Sequence, residues 1–553
     1  MSSDLTLHRR QFLRVGSAAC LAATTVALAS ADEKPRSPRS LGSLILNDDG
    51  YVFLNISDDL RRDDLRRYLQ SYCQPGVDTI AYCVGDMSWP TLYPTKVGVH
   101  YKDTRPENNL KSIRIHRNVD NFASEPGGYF GTAISLLHEL DKTAIASFRM
   151  NDAHFTQVDN PNVSEFWKQH AQRTLGAAYS YYGGCLNYEH EEVRQHIYER
   201  IVEFARLYPE IDGIELDCMR SPYFFPPDKG PAGAPLFTEL VKKIKAALAE
   251  QARRLKRPEY LLTANVPLTP ELSLVSGLDV AAWDREGLFH AISAGTYTAY
   301  MNHPMERWKK ALPNGTRALA YVGCSPNDGQ YLGLEEYRAA AANAHGGGAD
   351  GVYLFNYPCL FELAMQKASD VGRVPMSLVD LTSNGQRDFS RVAQALKEIG
   401  RPEALQGKTK HYLYYNTRAQ AYRHHDPDQA SLDRSKPEQR VTASFRCHDQ
   451  FVKAKSITLR FKLENTARSE RFALKLNEQP ILDEQTSLRC AANGRDTRMH
   501  TNTLGPFLEY EVQLKPTQLK SGVNELVVSP TKLRPDLSQQ IHLMELELTV
   551  EHT

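Results

Sequence analysis

A net charge is the first thing that this 553-residue sequence lacks, because 66 Lys and Arg residues balance 66 Asp and Glu residues. Nucleic-acid-binding proteins usually carry a basic excess, so we expect no nucleic-acid partner. Hydrophobic residues make up 41% of the chain, which is more than an intrinsically disordered chain contains. At this length, two or three folded domains are expected.

Long hydrophobic runs are also missing, apart from one near the N-terminus. The segment His8-Arg9-Arg10-Gln11-Phe12-Leu13-Arg14 resembles the twin-arginine export motif, and an apolar run over 15–29 follows it. The run is too short and too rich in Ala and Thr for a transmembrane helix. We expect residues 1–31 to be a signal peptide, cleaved after Ala29-Ser30-Ala31, and residues 32–40 to be a linker. The mature protein would then be periplasmic or secreted, with no stable membrane anchor.

Recognisable cofactor motifs are absent as well. The sequence has no C-x-x-C pair, no cysteine and histidine spacing typical of zinc sites, no Walker sequence, and no G-x-G-x-x-G loop directly after the predicted strand at 43–47. Most cysteines are interpreted as buried thiols, and disulfide pairing stays open. We therefore expect neither a metal nor another cofactor.

Strand and helix patterns alternate over residues 41–400. Eight strand-then-helix units are predicted, with strands at 43–47, 77–84, 143–150, 211–217, 260–266, 291–297, 317–322 and 351–356. Alternating units imply a parallel sheet, and eight of them favour a closed (β/α)8 TIM barrel. An open doubly wound sheet is the alternative, but it should show a Gly-rich phosphate loop after its first strand.

The pattern changes after about residue 405. Short alternating segments separated by turn residues continue to residue 553, and no helix pattern intervenes. Such segments are typical of a β-sandwich. The predicted fold class is therefore α/β, a (β/α)8 barrel followed by a C-terminal all-β accessory domain over 405–553.

The predicted fourth strand carries the strongest functional signal. Gly213, Glu215 and Asp217 share one face, whereas Ile214 and Leu216 share the other. The apolar face suits the outer helices, so the two carboxylates should point into the barrel, where burial is costly unless they are paired or functional. Asp217 would lie at the C-terminal rim, where such barrels carry their catalytic residues. A structural ion pair at the strand end is the alternative.

The predicted third strand supplies the partners of these carboxylates. Arg149 should point inward beside Glu215, and a buried pair of the two would need no catalytic role. Asp152 follows near the rim and is the expected catalytic partner of Asp217. Two such carboxylates can act as acid and base, or acid and nucleophile, on a glycosidic bond, and their separation decides between retention and inversion.

Other polar and aromatic residues follow the predicted strand ends, where a barrel brings them together. Aromatic faces there can stack on sugar rings, while ordinary loop packing and loop hydrogen bonding are the alternatives. Asp48, Asp49 and Asp86 are rivals of Asp152. The candidate substrate-binding residues are Asp48, Asp49, Asp86, Trp89, Arg149, Asn151, His154, Arg220, Asn265, Tyr297, His303, Asn356 and Tyr357.

One run resembles a known group of proteins. The residues from Asp212 to Pro222 are similar to the D-G-I-x-x-D-x-x-R-x-P run of the secreted bacterial family-10-like glycosyl hydrolases. The resemblance to this group also rests on the segments 146–152 and 277–283. The resemblance covers roughly residues 42–375 and implies a TIM barrel, a carbohydrate substrate and a functional Asp217. Met219 stands where the chitinase-type run has Glu, which argues against chitinase chemistry.

Three functions fit these features. The first is a glycoside hydrolase acting on an extracellular or periplasmic polysaccharide through strand-end carboxylates. The second is a metal-dependent carbohydrate deacetylase, because the run from Leu46 to Gly50 is similar to the first motif of those enzymes, although their paired-histidine H-x-x-x-H motif does not occur. The third is a glycan-binding TIM-barrel protein without catalysis.

Overall fold

Eight parallel strands form a closed barrel in the computed structural model of the chain, in sequence order β1 to β8. This confirms the predicted (β/α)8 barrel and excludes the open sheet. The strands are β1 (Leu44–Asp48), β2 (Thr79–Asp86), β3 (Thr143–Arg149), β4 (Gly213–Asp217), β5 (Leu261–Pro267), β6 (Ala291–Gly295), β7 (Arg317–Gly323) and β8 (Gly351–Phe355). The structure describes residues 39–86, 90–104, 106, 109–154, 156–160, 163–296, 300–323, 332–357, 389–414, 431–436, 438–491, 494–495, 502–503 and 506–553.

Helices surround the barrel. They are α1 (Val52–Ile56), α2 (Arg62–Tyr72), α3 (Leu110–Asn121), α4 (Gly128–Glu139), α5 (Glu165–Gln169), α6 (Glu191–Leu207), α7 (Gly230–Arg254), α8 (Pro270–Val275), α9 (Val280–Arg285), α10 (Met305–Ala311), α11 (Leu334–Gly346) and α12 (Phe389–Glu398). The helix of the eighth predicted strand–helix unit, which should follow the strand at 351–356, lies outside the described residues, as does the predicted signal peptide at 1–31. Within the part that is described, no helix combines the length and apolar character needed to cross a membrane.

The strand register divides the barrel interior into layers. Ser147, Glu215 and Thr263 lie side by side on β3, β4 and β5. One layer nearer the C-terminal ends, Asp217 lies between Arg149 and Asn265. Polar residues therefore line the interior along these three strands.

The opposite side of the interior is apolar and aromatic. Tyr321 on β7 stacks on Tyr353 and on Phe355 of β8, with ring centroids 5.3 and 5.1 Å apart. All three are at most 1% exposed, and they pack in one cluster with Ile45 and Leu319. The two carboxylates of β4 thus face an aromatic wall rather than an open aqueous channel.

Antiparallel sheets follow the barrel, as predicted. Their strands are β9 (Lys410–Tyr414), β10 (Ser431–Leu432), β11 (Val441–Cys447), β12 (Ser456–Glu464), β13 (Arg471–Leu476), β14 (Gln479–Pro480), β15 (Thr486–Ala491), β16 (Gly494–Arg495), β17 (Asn502–Thr503), β18 (Phe507–Gln513), β19 (Gly522–Lys532) and β20 (Ile541–Glu551). One sheet has the order β10-β20-β12-β18-β15 with β9 paired to β20, and another has the order β11-β19-β13-β14. Buried residues of both sheets, such as Phe461 and Leu526, belong to one apolar core.

Polar contacts join the sheets to the barrel. The side chain of Asn343 on α11 donates to the Arg446 carbonyl at 2.7 Å and accepts from the His448 amide at 3.0 Å. Asn302, which follows β6, accepts from the Arg446 amide at 2.9 Å. Because Asn302 directly precedes His303, these contacts tie the C-terminal sheets to a loop at the C-terminal side of the barrel.

Candidate active site

Two carboxylic side chains of β4 form the centre of the site. Glu215 and Asp217 are each 1% exposed, and both lie on the inward face of the strand. Asp217 Oδ1 accepts a hydrogen bond from the Met219 amide at 3.0 Å. Burial raises the pKa of Asp217, while the charges of Arg149 and Arg220 oppose that effect. Asp217 thus holds a proton more readily than an ordinary aspartate.

Glu215 lies one layer deeper than Asp217. Its Oε1 accepts a hydrogen bond from the Tyr353 hydroxyl at 2.8 Å, and that hydroxyl accepts from Asn265 Nδ2 at 2.9 Å. Burial raises the pKa of Glu215 to about 8, and the negative charge of Asp217 adds to the effect. The Glu215 side chain is therefore an un-ionised carboxylic acid at neutral pH.

The expected Arg149–Glu215 pair is wrong. Arg149 does point inward, but the register sets it beside Asp217 and sets Ser147 beside Glu215. Its guanidinium contacts Asp49 directly through Nη2 and reaches Asp152 Oδ2 at 3.4 Å through Nη1. Arg149 consequently balances carboxylates at the rim rather than the deeper Glu215.

Asp152 lies at the centre of a charged cluster at the rim, in which it contacts Arg149, His154 and Arg220. Its Oδ1 contacts His154 Nδ1 and accepts from the His154 amide at 2.9 Å, while Arg220 Nε lies 3.4 Å from Oδ2. Burial alone would raise the pKa of Asp152, yet the hydrogen bond from His154 and the charges of Arg220 and Arg149 hold it well below its usual range. Asp152 is therefore ionised at any working pH.

His154 is the more accessible member of this cluster. Its side chain is 25% exposed, against 1% for Asp152. Arg220 Nη2 lies 3.3 Å from His154 Nε2, so the guanidinium and the imidazole are adjacent at the mouth. Asp152 therefore orients both His154 and Arg220 at the mouth of the barrel.

The neighbouring carboxylates of β1 point in opposite directions. Asp48 faces the helices, where its Oδ2 accepts from the Tyr72 hydroxyl at 2.5 Å, and burial raises its pKa to about 6. Asp49 faces the mouth and contacts Arg149. Burial alone would raise the pKa of Asp49, but the charges of Arg149 and Arg220 outweigh burial and lower it. Asp49 joins the rim cluster, whereas Asp48 has a structural position.

Two asparagines complete the described mouth. Asn356 directly follows β8 in a left-handed conformation, with φ of 53°, and its amide N–H donates to Asn47 Oδ1 at 3.2 Å. The Asn356 side chain is 2% exposed, and its Oδ1 has no hydrogen-bond partner among the described residues. A substrate hydroxyl would satisfy this oxygen.

Several sequence candidates have other positions. The side chain of Asn151 hydrogen-bonds to the backbone of Leu186 and of Tyr223, so it fixes the structure of these loops. His303 contacts the Tyr321 carbonyl at 2.7 Å, and Tyr357 packs against Tyr337 of α11. Trp89, Tyr297 and the side chain of Asp86 lie outside the described residues, so their predicted roles stay predictions.

Three residues of this site were not predicted from the sequence. The Tyr353 hydroxyl donates a hydrogen bond to Glu215 across the barrel, and the Tyr321 ring stacks on the Tyr353 ring. Asn47 accepts a hydrogen bond from the amide of Asn356, the residue that follows β8. The alternation of Tyr353 and Phe355 along β8 was the one available signal, since it already indicated an inward aromatic face. As for metal ligands, the described residues contain no group of three or more His, Cys, Asp or Glu side chains arranged to hold an ion.

The geometry defines a TIM barrel with proton-holding and ionised carboxyl groups gathered at its C-terminal mouth. No family model matches the chain, and neither does any curated protein. The solved structures to which it is similar are distant. Alpha-L-fucosidase isoenzyme 2 from Paenibacillus thiaminolyticus is 12% identical, with a TM-score of 0.39 over 60% of this chain and 49% of that protein. The chain therefore spans about half the length of the fucosidase.

Two further structures show the same degree of similarity. A GH113 beta-1,4-mannanase is 12% identical, with a TM-score of 0.33 over 64% of this chain and 97% of that protein. A chitinase-like agglutinin from Robinia pseudoacacia is 12% identical, with a TM-score of 0.31 over 50% of this chain and 88% of that protein. The distant structural similarity is thus to glycoside hydrolases and to a chitinase-like agglutinin.

Proposed function

We propose that the protein is a glycoside hydrolase that acts on an extracellular or periplasmic polysaccharide. The observation that carries the proposal is the contrast between two neighbouring carboxyl groups at the mouth. Burial raises the pKa of Asp217, whereas the positive partners of Asp152 lower its pKa. Carboxyl groups with pKa values displaced in opposite directions are suited to act as a general acid and as a base or nucleophile.

In this proposal Asp217 gives its proton to the oxygen of the departing sugar. Asp152 stays ionised and serves the opposite role, either on water or on the sugar itself. Arg220, His154 and Asn356 would hold sugar hydroxyls, because their polar atoms line the same mouth. Carbohydrate is the proposed partner, and the chemistry needs no cofactor.

A second function is favoured by one specific observation. Both oxygens of Asp152 are engaged, Oδ1 by His154 and Oδ2 by Arg149 and Arg220. A carboxylate so fully bound would support a glycan-binding barrel without catalysis. The deacetylase alternative loses support, because Asp48 of the motif-like run faces Tyr72 and the helices.

The experiment that tests the proposal is a screen of the full mature chain against a panel of polysaccharides for released reducing sugar. We expect release from at least one glycan. Binding to a glycan in pull-down, with no release from any member of the panel, would contradict hydrolysis and support the binding function.

We also propose that the chain is exported through the twin-arginine route. The motivation is the Arg9-Arg10 pair followed by the short apolar run. Changing both residues to Lys should leave the uncleaved precursor in the cytoplasm, as cell fractionation would show. Export of this variant at the normal level would contradict the route.

A further inference from the structure

Glu215 is a buried carboxyl group that the proposed mechanism does not use. Its Oε1 accepts a hydrogen bond from a neutral group, the Tyr353 hydroxyl at 2.8 Å, and its other side-chain hydrogen bonds come from the neutral Ser147 and Asn265. The nearby cations Arg149 and Arg220 contact Asp49, Asp152 and His154 instead. A buried carboxylate without a cationic partner is costly, so the group keeps its proton.

Two buried oxygen atoms belong to the β5 residues that pair with Glu215 and Asp217 in the sheet. The register pairs Thr263 with Glu215 and Asn265 with Asp217. Thr263 Oγ1 and Asn265 Oδ1 have no hydrogen-bond partner among the described residues, and both side chains are at most 1% exposed. Buried polar atoms are nearly always hydrogen-bonded, and an internal water is the usual partner where protein groups supply none.

We propose that Glu215 stores a proton for Asp217, and that a water molecule bound by Thr263 Oγ1 and Asn265 Oδ1 carries the proton between them. The inference rests on the proposed function, because it gives Asp217 a supply of protons for the departing sugar. Glu215 is a positioning and proton-holding residue here, and it does not touch the substrate.

The transfer balances in protons and charge. The O–H bond of the Glu215 carboxyl breaks as the water accepts its proton, and the water gives a proton of its own to an Asp217 carboxylate oxygen. The water is unchanged, and one negative charge moves from Asp217 to Glu215. Reprotonation of Glu215 from solvent resets the pair.

Several charged and titratable groups face this pair. Tyr353 faces the pair from β8. Cys83 on β2 interacts electrostatically with Asp217 and with Arg149. The positive charges of Arg149 and Arg220 lower the pKa of Asp217. Tyr353 remains neutral because burial raises its pKa well above the usual value. The pair therefore loses its last proton near pH 8, at the pKa of Glu215.

The first test compares the pH dependence of turnover in wild type and Glu215→Gln. In wild type the alkaline limb should follow loss of the last proton of the pair. In Glu215→Gln the only proton is that of Asp217, so the alkaline limb should move to lower pH by more than about 1 pH unit, while activity at acid pH is kept. A purely structural role would lower activity equally at all pH values, and an unmoved alkaline limb would overturn the inference.

Two variants isolate the proposed water. Thr263→Val removes the hydroxyl while keeping the shape of the side chain, and it should move the alkaline limb in the same direction. Thr143→Val, at the first residue of β3 and away from the C-terminal rim, is the matched control and should leave the limb unchanged. Equal effects of Thr263→Val and Thr143→Val would contradict a water held at Thr263.

The second test needs no substrate, so it separates failure of the proton store from failure of the proposed function. Infrared spectra of the full mature chain at pH 7 should contain a carboxylic-acid C=O absorption that is missing from Glu215→Gln and retained in Thr263→Val. Asp217→Asn should move the loss of this absorption to lower pH, because it removes a neighbouring negative charge. A wild-type spectrum without the absorption would overturn the inference even if the protein hydrolyses a glycan.

Discussion

Two fully buried carboxyl groups in this molecule have opposite surroundings. Asp449, in the C-terminal domain, has both oxygens 3.1 Å from Lys410 Nζ, and its Oδ1 lies 3.0 Å from His552 Nε2. Glu215, in the barrel interior, accepts from the Tyr353 hydroxyl and contacts no cation among the described residues. Both side chains are almost inaccessible to solvent, so exposure does not distinguish them.

The comparison separates a structural group from a functional one. A buried charge that is fully paired loses much stability when one partner is removed, because the other charge is left uncompensated. A buried carboxyl without a cation has a displaced pKa and changes protonation near neutral pH, which is the property that acid–base chemistry needs. The barrel contains both kinds, because Arg149 and Arg220 contact Asp49 and Asp152 at the mouth, whereas the deeper Glu215 holds a proton.

The largest stability effect should come from Arg149. Arg149→Met leaves the buried Asp49 and Asp152 without their shared cation, which should lower the free energy of unfolding by about 3–5 kcal/mol. Glu215→Gln keeps the shape of the side chain and breaks no ion pair, so it should change that free energy by only about 0.5–1.5 kcal/mol. Urea unfolding of both variants measures the difference, and equal losses would contradict the distinction between paired and unpaired carboxyls.

A smaller loss is expected at Lys410 in the C-terminal domain. Lys410→Met removes one cation from Asp449, but His552 and the Tyr412 hydroxyl still contact that carboxylate. The expected cost is about 1.5–3 kcal/mol in urea unfolding. Lys453→Met, at an exposed position nearby, is the control and should have almost no effect. Equal stability of the two variants would show that the Lys410 pair contributes nothing.

The smallest effect should be a pH dependence at the junction of the domains. Burial alone would lower the pKa of His411, but hydrogen bonds to Glu336 and Glu547 outweigh it and raise the pKa to about 9. Because the pKa of His411 in the folded state is higher than the ordinary histidine value of about 6.5, the stabilisation is complete below about pH 6.5 and is lost as pH rises to about 9.

Melting temperatures across that range test this expectation. Wild type should melt above His411→Gln at pH 6, and the gap should close towards pH 9. A gap that stays constant with pH would show that His411 contributes through packing rather than through its charge.

The sequence predicted the fold because the strand–helix alternation is regular and β4 is strictly amphipathic. It also assigned the inward direction of Glu215 and Asp217 correctly, since Ile214 and Leu216 fix the opposite face. In β1 the residues of both faces are buried, so no polar alternation showed that Asp48 points outward. A strand buried on both faces has no such signal.

The layer in which each inward side chain lies along the barrel axis could not be predicted from the sequence. Arg149 has the inward phase that was expected, but its neighbour across the ladder is Asp217 rather than Glu215. The stagger between strands is set by closure of the whole barrel, and no single strand encodes it. For the same reason the contact of Tyr353 with Glu215, across the barrel, could not be seen in either segment alone.

The central claim is that Asp217 is the general acid of the proposed reaction, and the turnover of Asp217→Asn tests it most directly. On a glycan that wild type hydrolyses, this variant should lose at least about 10²-fold in turnover, the low end for general acid–base catalysis, while its melting curve stays close to wild type. Asp284→Asn is the matched control, because Asp284 is equally buried but binds the backbone of Asn314 and Thr316 away from the mouth. Full turnover in a folded Asp217→Asn protein would contradict the account.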